Sequence, residues 1–497
     1  MSVLLRSRDA AVACALGLAS FVLLFVNYWL PPEKIFDEVY FARAAEEYLQ
    51  RRYIYESTHP PVTKLLITLS VMLFGGLPAG DTSWGWRFLG VVAGAVAVVL
   101  TFVLARRVLG STLFAAYAAA LFACDGLHFV QSRIATPETY VVCFSLLTLY
   151  AFCRYWDAVA DMPPGAALRV RDGIIAAAVA AVVAIVATLL RFPGDARYAQ
   201  IVVAIALACG LYGAWRLIRT RPAGTGWLLL FAFAGATLVA SKWYGVMAYG
   251  VATVVVAYAA IRAWRVHRPS PFPVDAVVTV SIAAIAIVYA LAYIPHFIGL
   301  RDLQTLPPRP YTLTNVIDMQ VGAYMYHAHL VATHPYASLW WTWPLDLRPV
   351  LYYASYPVVN GVAMAKVIYA LPNPLLLWTG LIGVPVAAFL AIRERNRALG
   401  LVVLAYLLQW LPWAKSPRIA WIYHFYVDIP LIAVCNAAVV MWIWNRLKDR
   451  NRAAALTVTI GYLAVIAAAF VYFYPILAGV AISSDARAQR LWLPSWN

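Results

Sequence analysis

The chain has 497 residues, a formal net charge of +16 and a mean hydropathy of +0.76, with 64% hydrophobic and 12% charged residues. Soluble domains carry about 45–50% apolar and about 25% charged residues, so this composition excludes a soluble globule, a disordered chain and a collagen-like repeat. The basic residues fall in twos and threes between apolar runs rather than in one patch, which reads as membrane topology and not as nucleic-acid binding.

In chain order, apolar runs give about thirteen candidate spans: 9–30, 85–106, 111–130, 137–156, 173–191, 198–217, 226–241, 244–262, 275–298, 374–392, 398–412, 420–444 and 453–474. They are continuous, unlike the alternating strands of a β-barrel. The shortest, 226–241 and 398–412, are expected to be tilted, broken or partly re-entrant. The first run follows Arg6 and Arg8 in the charge order of a signal peptide but is long enough to cross a bilayer, so it reads as a retained helix. Cys14, Cys124, Cys143, Cys153, Cys209 and Cys435 all lie in apolar segments, which suggests neither a disulfide framework nor a CxxC metal site.

Placing the clusters Arg106-Arg107, Arg216/Arg219/Arg221, Arg262/Arg265/Arg268, Arg393/Arg395/Arg397 and Arg446/Lys448/Arg450/Arg452 in the cytoplasm puts the N-terminus inside. An odd number of spans then puts the C-terminus outside. Two outside segments, 31–84 and 299–373, are too long to be simple connections. In the first, Val39, Ala42, Ala45 and Leu49 recur at helical spacing with Arg43, Glu46, Glu47 and Arg51 between them, predicting an interfacial helix over 36–53. Pro60-Pro61 precede a second, over 62–74. The second segment crowds Trp, Tyr, His and Pro, and 374–497 reads as C-terminal spans with an external tail. With no repeat or soluble insert, residues 1–497 read as a single all-α polytopic domain.

Asp37 and Glu38 follow the first span by a few residues. Asp37 suits two roles, a solvated helix-start residue or a general base held above the bilayer. Lys64 is either a snorkelling interfacial lysine or a ligand for an anion. His59, His327, His329 and His334 have irregular spacing without acidic or thiol companions, so no metal site is expected. Trp340, Trp341 and Trp343 suit interface anchoring first, and stacking on a sugar or acceptor peptide second. No nucleotide-binding glycine loop is present.

The stretch Ile35-Phe36-Asp37-Glu38-Val39-Tyr40-Phe41, followed by Thr58-His59-Pro60-Pro61-Val62-Thr63-Lys64, resembles the first external loop of the protein O-mannosyltransferases, glycosyltransferase family 39 with a GT-C fold. Asp125-Gly126-Leu127 with Gln131-Ser132-Arg133-Ile134-Ala135, the turn Ser241-Lys242-Trp243-Tyr244-Gly245, and His334-Pro335 with Trp340-Trp341-Thr342-Trp343-Pro344-Leu345 and Arg348-Pro349 resemble further family segments in the same order. So do Gln409-Trp410-Leu411-Pro412-Trp413, Arg418, Tyr423-His424 and the ending Trp492-Leu493-Pro494-Ser495-Trp496. Two departures stand out. Pro137-Glu138 replaces the family's Leu-Asp, and 299–373 is too short for the β-trefoil MIR domain of eukaryotic members, which suggests a prokaryotic-type member.

The resemblance implies a GT-C enzyme in the plasma membrane that transfers mannose, with inversion, from a polyprenyl-phosphate donor to Ser or Thr hydroxyls of exported proteins on the external face. An acceptor hydroxyl needs a base, whereas a lipid phosphate leaves as an anion without a protonated partner. Asp37 matches the catalytic Asp, with Glu38 in support. Lys64, Arg418 and His424 are candidates for the donor phosphate; His59, His334, Trp340 and Trp341 for sugar or acceptor; Arg133 and Glu138 for a structural ion pair. The lipid-linked sugar is a substrate, and no cofactor is implied. The rivals are a GT-C transferase using another polyprenyl-phosphate sugar or a lipid or glycan acceptor, and a transporter of lipid-linked sugars.

Overall fold

The computed structural model describes residues 7–160, 197–220, 224–268, 270–300, 313–416 and 418–497. The helices run in chain order as α1 (Ser7–Phe25), α2 (Glu38–Leu49), α3 (Val62–Leu73), α4 (Ser83–Leu109), α5 (Thr112–Ala123), α6 (Gly126–Gln131) and α7 (Glu138–Ala160). Next come α8 (Arg197–Thr220), α9 (Thr225–Val239), α10 (Val246–Arg265), α11 (Val274–Leu300) and α12 (Leu313–His329). The last are α13 (Pro374–Arg393), α14 (Arg397–Trp410), α15 (Ile429–Leu447), α16 (Arg452–Leu477) and α17 (Ser484–Arg490). Among the described residues, eight helices are long and apolar enough to cross a membrane. Every apolar window read from the sequence falls on a helix except 173–191, which lies outside the described residues.

The chain forms two compact units where the sequence reads as one domain. One comprises Met1–Leu49, Thr63–Leu146 and Ala328–Asn497; the other comprises Gln50–Val62 and Leu147–His327. One division, between Leu146 and Leu147, falls inside the continuous apolar run of α7, so no change of composition marks it.

In the second unit, α11 packs against α8 and α9. Asp275 at the start of α11 accepts from Tyr212 Oη at 2.7 Å and from Arg216 Nε at 2.8 Å, a polar tie between apolar helices.

In the first unit, α4 packs against α1 and α5, and α15 against α5 and α13. Arg106 near the end of α4 pairs with Asp9 in the first turn of α1 at 3.1 Å. Gly126 opens α6 because a Cβ there would meet the Leu371 carbonyl oxygen at 2.3 Å. Asp125 caps α6 through the His128 N–H at 2.8 Å, and its other oxygen accepts the Asn373 N–H at 2.8 Å. A helix forms in each of the two stretches where one was expected in the first long segment, and α2 and α3 rest on a shared core of Phe41, Ala45, Ile67, Val71, Trp86 and Tyr140.

The all-α expectation holds for the apolar spans and misses a small antiparallel sheet. Strand β1 (Val350–Ser355) pairs with β3 (Val362–Ala370), which also pairs with β2 (Val358–Val359) and β4 (Ile482–Ser483). Asn360 and Gly361 join β2 to β3 with φ of +51° and +78°, the left-handed pair a two-residue hairpin requires. The register slips between Leu351 and Tyr353, so Tyr352 sits in a bulge without a ladder partner.

A buried ion pair ties the first long segment to α4. Arg87 Nε donates to Glu38 Oε1 and Arg87 Nη2 to Glu38 Oε2, both at 2.7 Å, with both side chains fully inaccessible to solvent. The remaining guanidinium donors reach the carbonyls of Tyr28 (3.2 Å), Pro31 (2.8 Å) and Glu33 (3.1 Å). Glu38 also accepts the N–H of Ile35 at 3.0 Å and of Ala135 at 2.8 Å. All five N–H donors of the arginine and two acceptor positions on each carboxylate oxygen are thereby used. Breaking a buried pair strands a charge and costs about 3–5 kcal/mol. Arg87→Ala and Glu38→Ala are each expected to lower the unfolding midpoint steeply, and the double variant by clearly less than the sum, in thermal unfolding of purified protein. An additive double variant would show the two side chains to be uncoupled.

Candidate active site

The site grows from the four residues Ile35 to Glu38. The Ile35 N–H and the Glu38 carboxylate close a tight loop, reinforced by the Glu38 N–H on the Ile35 carbonyl at 3.0 Å. Phe36 takes φ of +47°, a left-handed conformation that costs a non-glycine residue about 1–3 kcal/mol. Its ring is held by stacking on Tyr352, with centroids 4.0 Å apart and planes at 18°, and by an edge contact to Tyr423 at 5.8 Å. The Asp37 carbonyl then accepts the N–H groups of Tyr40 and Phe41, starting α2. Consecutive residues are thereby separated in environment: Glu38 is buried, whereas Asp37 keeps partial exposure.

The Tyr423 ring lies 6.4 Å from that of Tyr352, and the charges of Glu138 and Asp37 reach the Tyr352 phenol. Burial pushes that phenol well above its ordinary pKa, and the neighbouring Tyr423 and the carboxylates of Glu138 and Asp37 push it the same way; a hydrogen bond with Gln131 opposes them. Gln131 Nε2 donates to Tyr352 Oη at 2.7 Å, and Thr136 Oγ1 donates to Gln131 Oε1 at 3.0 Å. The arrangement supplies one accessible carboxylate, a second buried one and a fixed hydroxyl, a set suited to accepting a proton and binding polyhydroxy groups.

The other residues singled out in the sequence divide by environment. Lys64, in the first turn of α3, is only 1% exposed, so it does not snorkel into solvent. Arg418 is partly buried, and its Nε donates to the neighbouring Ile419 carbonyl at 3.3 Å. His424 is buried among aromatic rings, 4.4 Å from Trp413 and 4.6 Å from Tyr423 between centroids, and stacked over Trp343 at 6.1 Å. His334 accepts at Nδ1 from the Tyr336 N–H and from Trp421 Nε1, both at 3.2 Å. Two donors on Nδ1 leave the ring proton on Nε2, and partial burial pushes the His334 pKa down, so the ring is neutral. The Trp340 carbonyl accepts from Trp410 Nε1 at 2.9 Å, while Trp341 is 49% exposed.

Of the expected pair Arg133 and Glu138, Arg133 is buried. It donates to the Val26 carbonyl at 3.0 Å and lies 4.3 Å from the centre of the Phe129 ring. Glu138 is buried, and its charge bears on Tyr352. His59 belongs to the second unit, where its Nδ1 lies 2.9 Å from Glu56 Oε1 and its ring 5.3 Å from that of His327. Among the described residues no group of three or more His, Cys, Asp or Glu side chains could hold a metal ion.

Sequence reasoning missed Arg87, Tyr352 and Gln131. A charged residue at the head of an apolar span requires a partner, and that rule applied to Arg87 would have pointed to a nearby carboxylate. Tyr352 carries no such signal, because its importance comes from a bulge that only the strand register reveals.

The chain matches the family described as dolichyl-phosphate-mannose-protein mannosyltransferase over residues 14–163 and the C-terminal four-transmembrane region of protein O-mannosyltransferase over residues 312–496. It is 28% identical to the polyprenol-phosphate-mannose–protein mannosyltransferase of Mycolicibacterium smegmatis, covering 99% of this chain and 94% of that protein. It is 27% identical to the protein of that name from Mycobacterium tuberculosis, covering 93% and 86%. In fold it is similar to the Saccharomyces cerevisiae Pmt1-Pmt2 complex bound to the sugar donor, with a TM-score of 0.70 at 13% identity over 100% of this chain and 93% of that one. It is also similar to apo ArnT of Cupriavidus metallidurans, with a TM-score of 0.52 at 12% identity over 95% and 77%. The architecture is the GT-C glycosyltransferase fold of a multi-pass membrane protein, and the chain belongs to the protein O-mannosyltransferase family.

Proposed function

We propose that this chain transfers mannose, with inversion, from a polyprenyl-phosphate donor to Ser or Thr hydroxyls of exported proteins at the outer face of the plasma membrane. The observation that carries the reading is the partly exposed Asp37 carboxylate, set at the head of α2 by a fully buried neighbour and bearing, with Glu138, on the Tyr352 phenol. The relatives named above, aligned over nearly the whole chain, support the mannosyl donor and the protein acceptor.

In this mechanism Asp37 takes the acceptor hydroxyl proton as the oxygen attacks the anomeric carbon, and the polyprenyl phosphate departs as an anion. Lys64, Arg418 and His424 are the candidates to hold that phosphate. Of these, Lys64 has the strongest case, because a cation withdrawn from bulk water exerts the larger field on a developing negative charge. His334, as a neutral Nε2–H donor, suits a hydroxyl better than it suits charge neutralisation. Glu38 acts through Asp37: its oxygens are already occupied, so it positions the base rather than touching substrate.

The direct test incubates purified protein with polyprenyl-phosphate mannose and a Ser/Thr-rich peptide and weighs the peptide for added hexose. Asp37→Asn is expected to retain its unfolding midpoint and lose about 10²–10⁴ in transfer rate. A folded variant with near-normal transfer removes Asp37 from the role of base. Lys64→Ala is expected to raise the donor KM about tenfold or more while leaving the acceptor KM in place. An unchanged donor KM takes Lys64 out of the phosphate site.

A further inference from the structure

We propose that Tyr352 is a sugar-recognition residue whose phenol O–H donates to one hydroxyl of the transferred mannosyl unit, while that hydroxyl donates to one of the neighbouring carboxylates. The inference rests on the donor and site described above.

Four observations converge on it. Tyr352 occupies a bulge, the device by which a strand re-aims one side chain, and it is the residue that β3 leaves without a partner. The side chain is only 6% exposed, so an unused polar group there is costly. Its oxygen already accepts from Gln131 Nε2, and the orientation of that amide follows from Thr136, whose hydroxyl donates to Gln131 Oε1. Among the described residues no acceptor takes the phenol proton.

The fourth observation is the company it keeps. Asp37 and Glu138 bear on the phenol electrostatically and, when ionised, can only accept. A phosphate oxygen placed between them would add a third negative charge. A sugar hydroxyl suits the position, because it accepts from the phenol and donates to a carboxylate at once. The Phe36 ring stacked on Tyr352 fixes the phenol relative to Asp37, so the sugar contact and the base are positioned by adjacent residues.

The test pairs one variant with a series of monodeoxy donors. Tyr352→Phe keeps the ring against Phe36 but leaves the buried Gln131 Nε2 without its acceptor, so a modestly lowered unfolding midpoint with the fold retained is expected. Equilibrium binding of polyprenyl-phosphate mannose and its monodeoxy analogues is measured without acceptor, alongside transfer to peptide. For the parent, one deoxy position is expected to lose about 10–100-fold in affinity, the cost of leaving a buried donor unpaired. Tyr352→Phe should lose a similar factor on the intact donor and lose most of its discrimination at that position alone, keeping only the part owed to the carboxylate. Parent-like binding by Tyr352→Phe, or discrimination unchanged at every ring position, overturns the inference. Discrimination in binding without peptide transfer would leave the inference standing and overturn the proposed function. Peptide transfer with parent-like donor binding by Tyr352→Phe would do the reverse.

Discussion

The Glu38–Arg87 ion pair is the constraint on which the candidate site depends. Two ions withdrawn from water gain only if every donor and acceptor is matched, and here they are matched by backbone groups of residues 28–35, just before Asp37, and by the Ala135 N–H. The same guanidinium therefore holds the carbonyls of Tyr28, Pro31 and Glu33 while gripping Glu38. The stretch from Tyr28 to Glu38 is thereby fixed, and α2 and α3 rest on their shared apolar core.

A second layer is aromatic. Segments around 334–349, 410–424 and 492–496 are far apart in the chain and meet through indole and imidazole contacts. Trp410 bonds the Trp340 carbonyl, Trp421 bonds His334, and Arg348 bonds the carbonyls of Pro335 and Ser495. Trp496, fully buried, donates to the Asp346 carbonyl. The abundance of tryptophan, which from composition alone suits membrane anchoring, is here spent partly on joining these segments.

Much of this was legible in the sequence, because apolar periodicity reports burial directly. The spans, the two helices of the first long segment and the placement of Asp37 at the head of α2 follow from runs and spacing. What escaped depends on pairing between distant residues. Arg87 bonds Glu38 from 49 residues away, and Arg133 reaches the Val26 carbonyl across 107, separations that no local pattern reports. Asn360-Gly361 between valine-rich stretches is a hairpin signal that the sequence does carry, and it was overshadowed by the helical composition around it.

Asp37 and Glu38 are neighbours of like charge and nearly like chemistry, yet one keeps partial exposure and the other is buried and saturated. Exchanging their order would leave composition, isoelectric point and hydropathy almost untouched. It would nonetheless retract the shorter arm from the guanidinium and push the longer one into the reaction space. Replacing the arginine with lysine would fail on the same grounds, since an ammonium offers three donors from a single point where a flat fork reaches five partners. Here side-chain length is as binding as charge, and variation that looks conservative on paper is closed to this pair of positions.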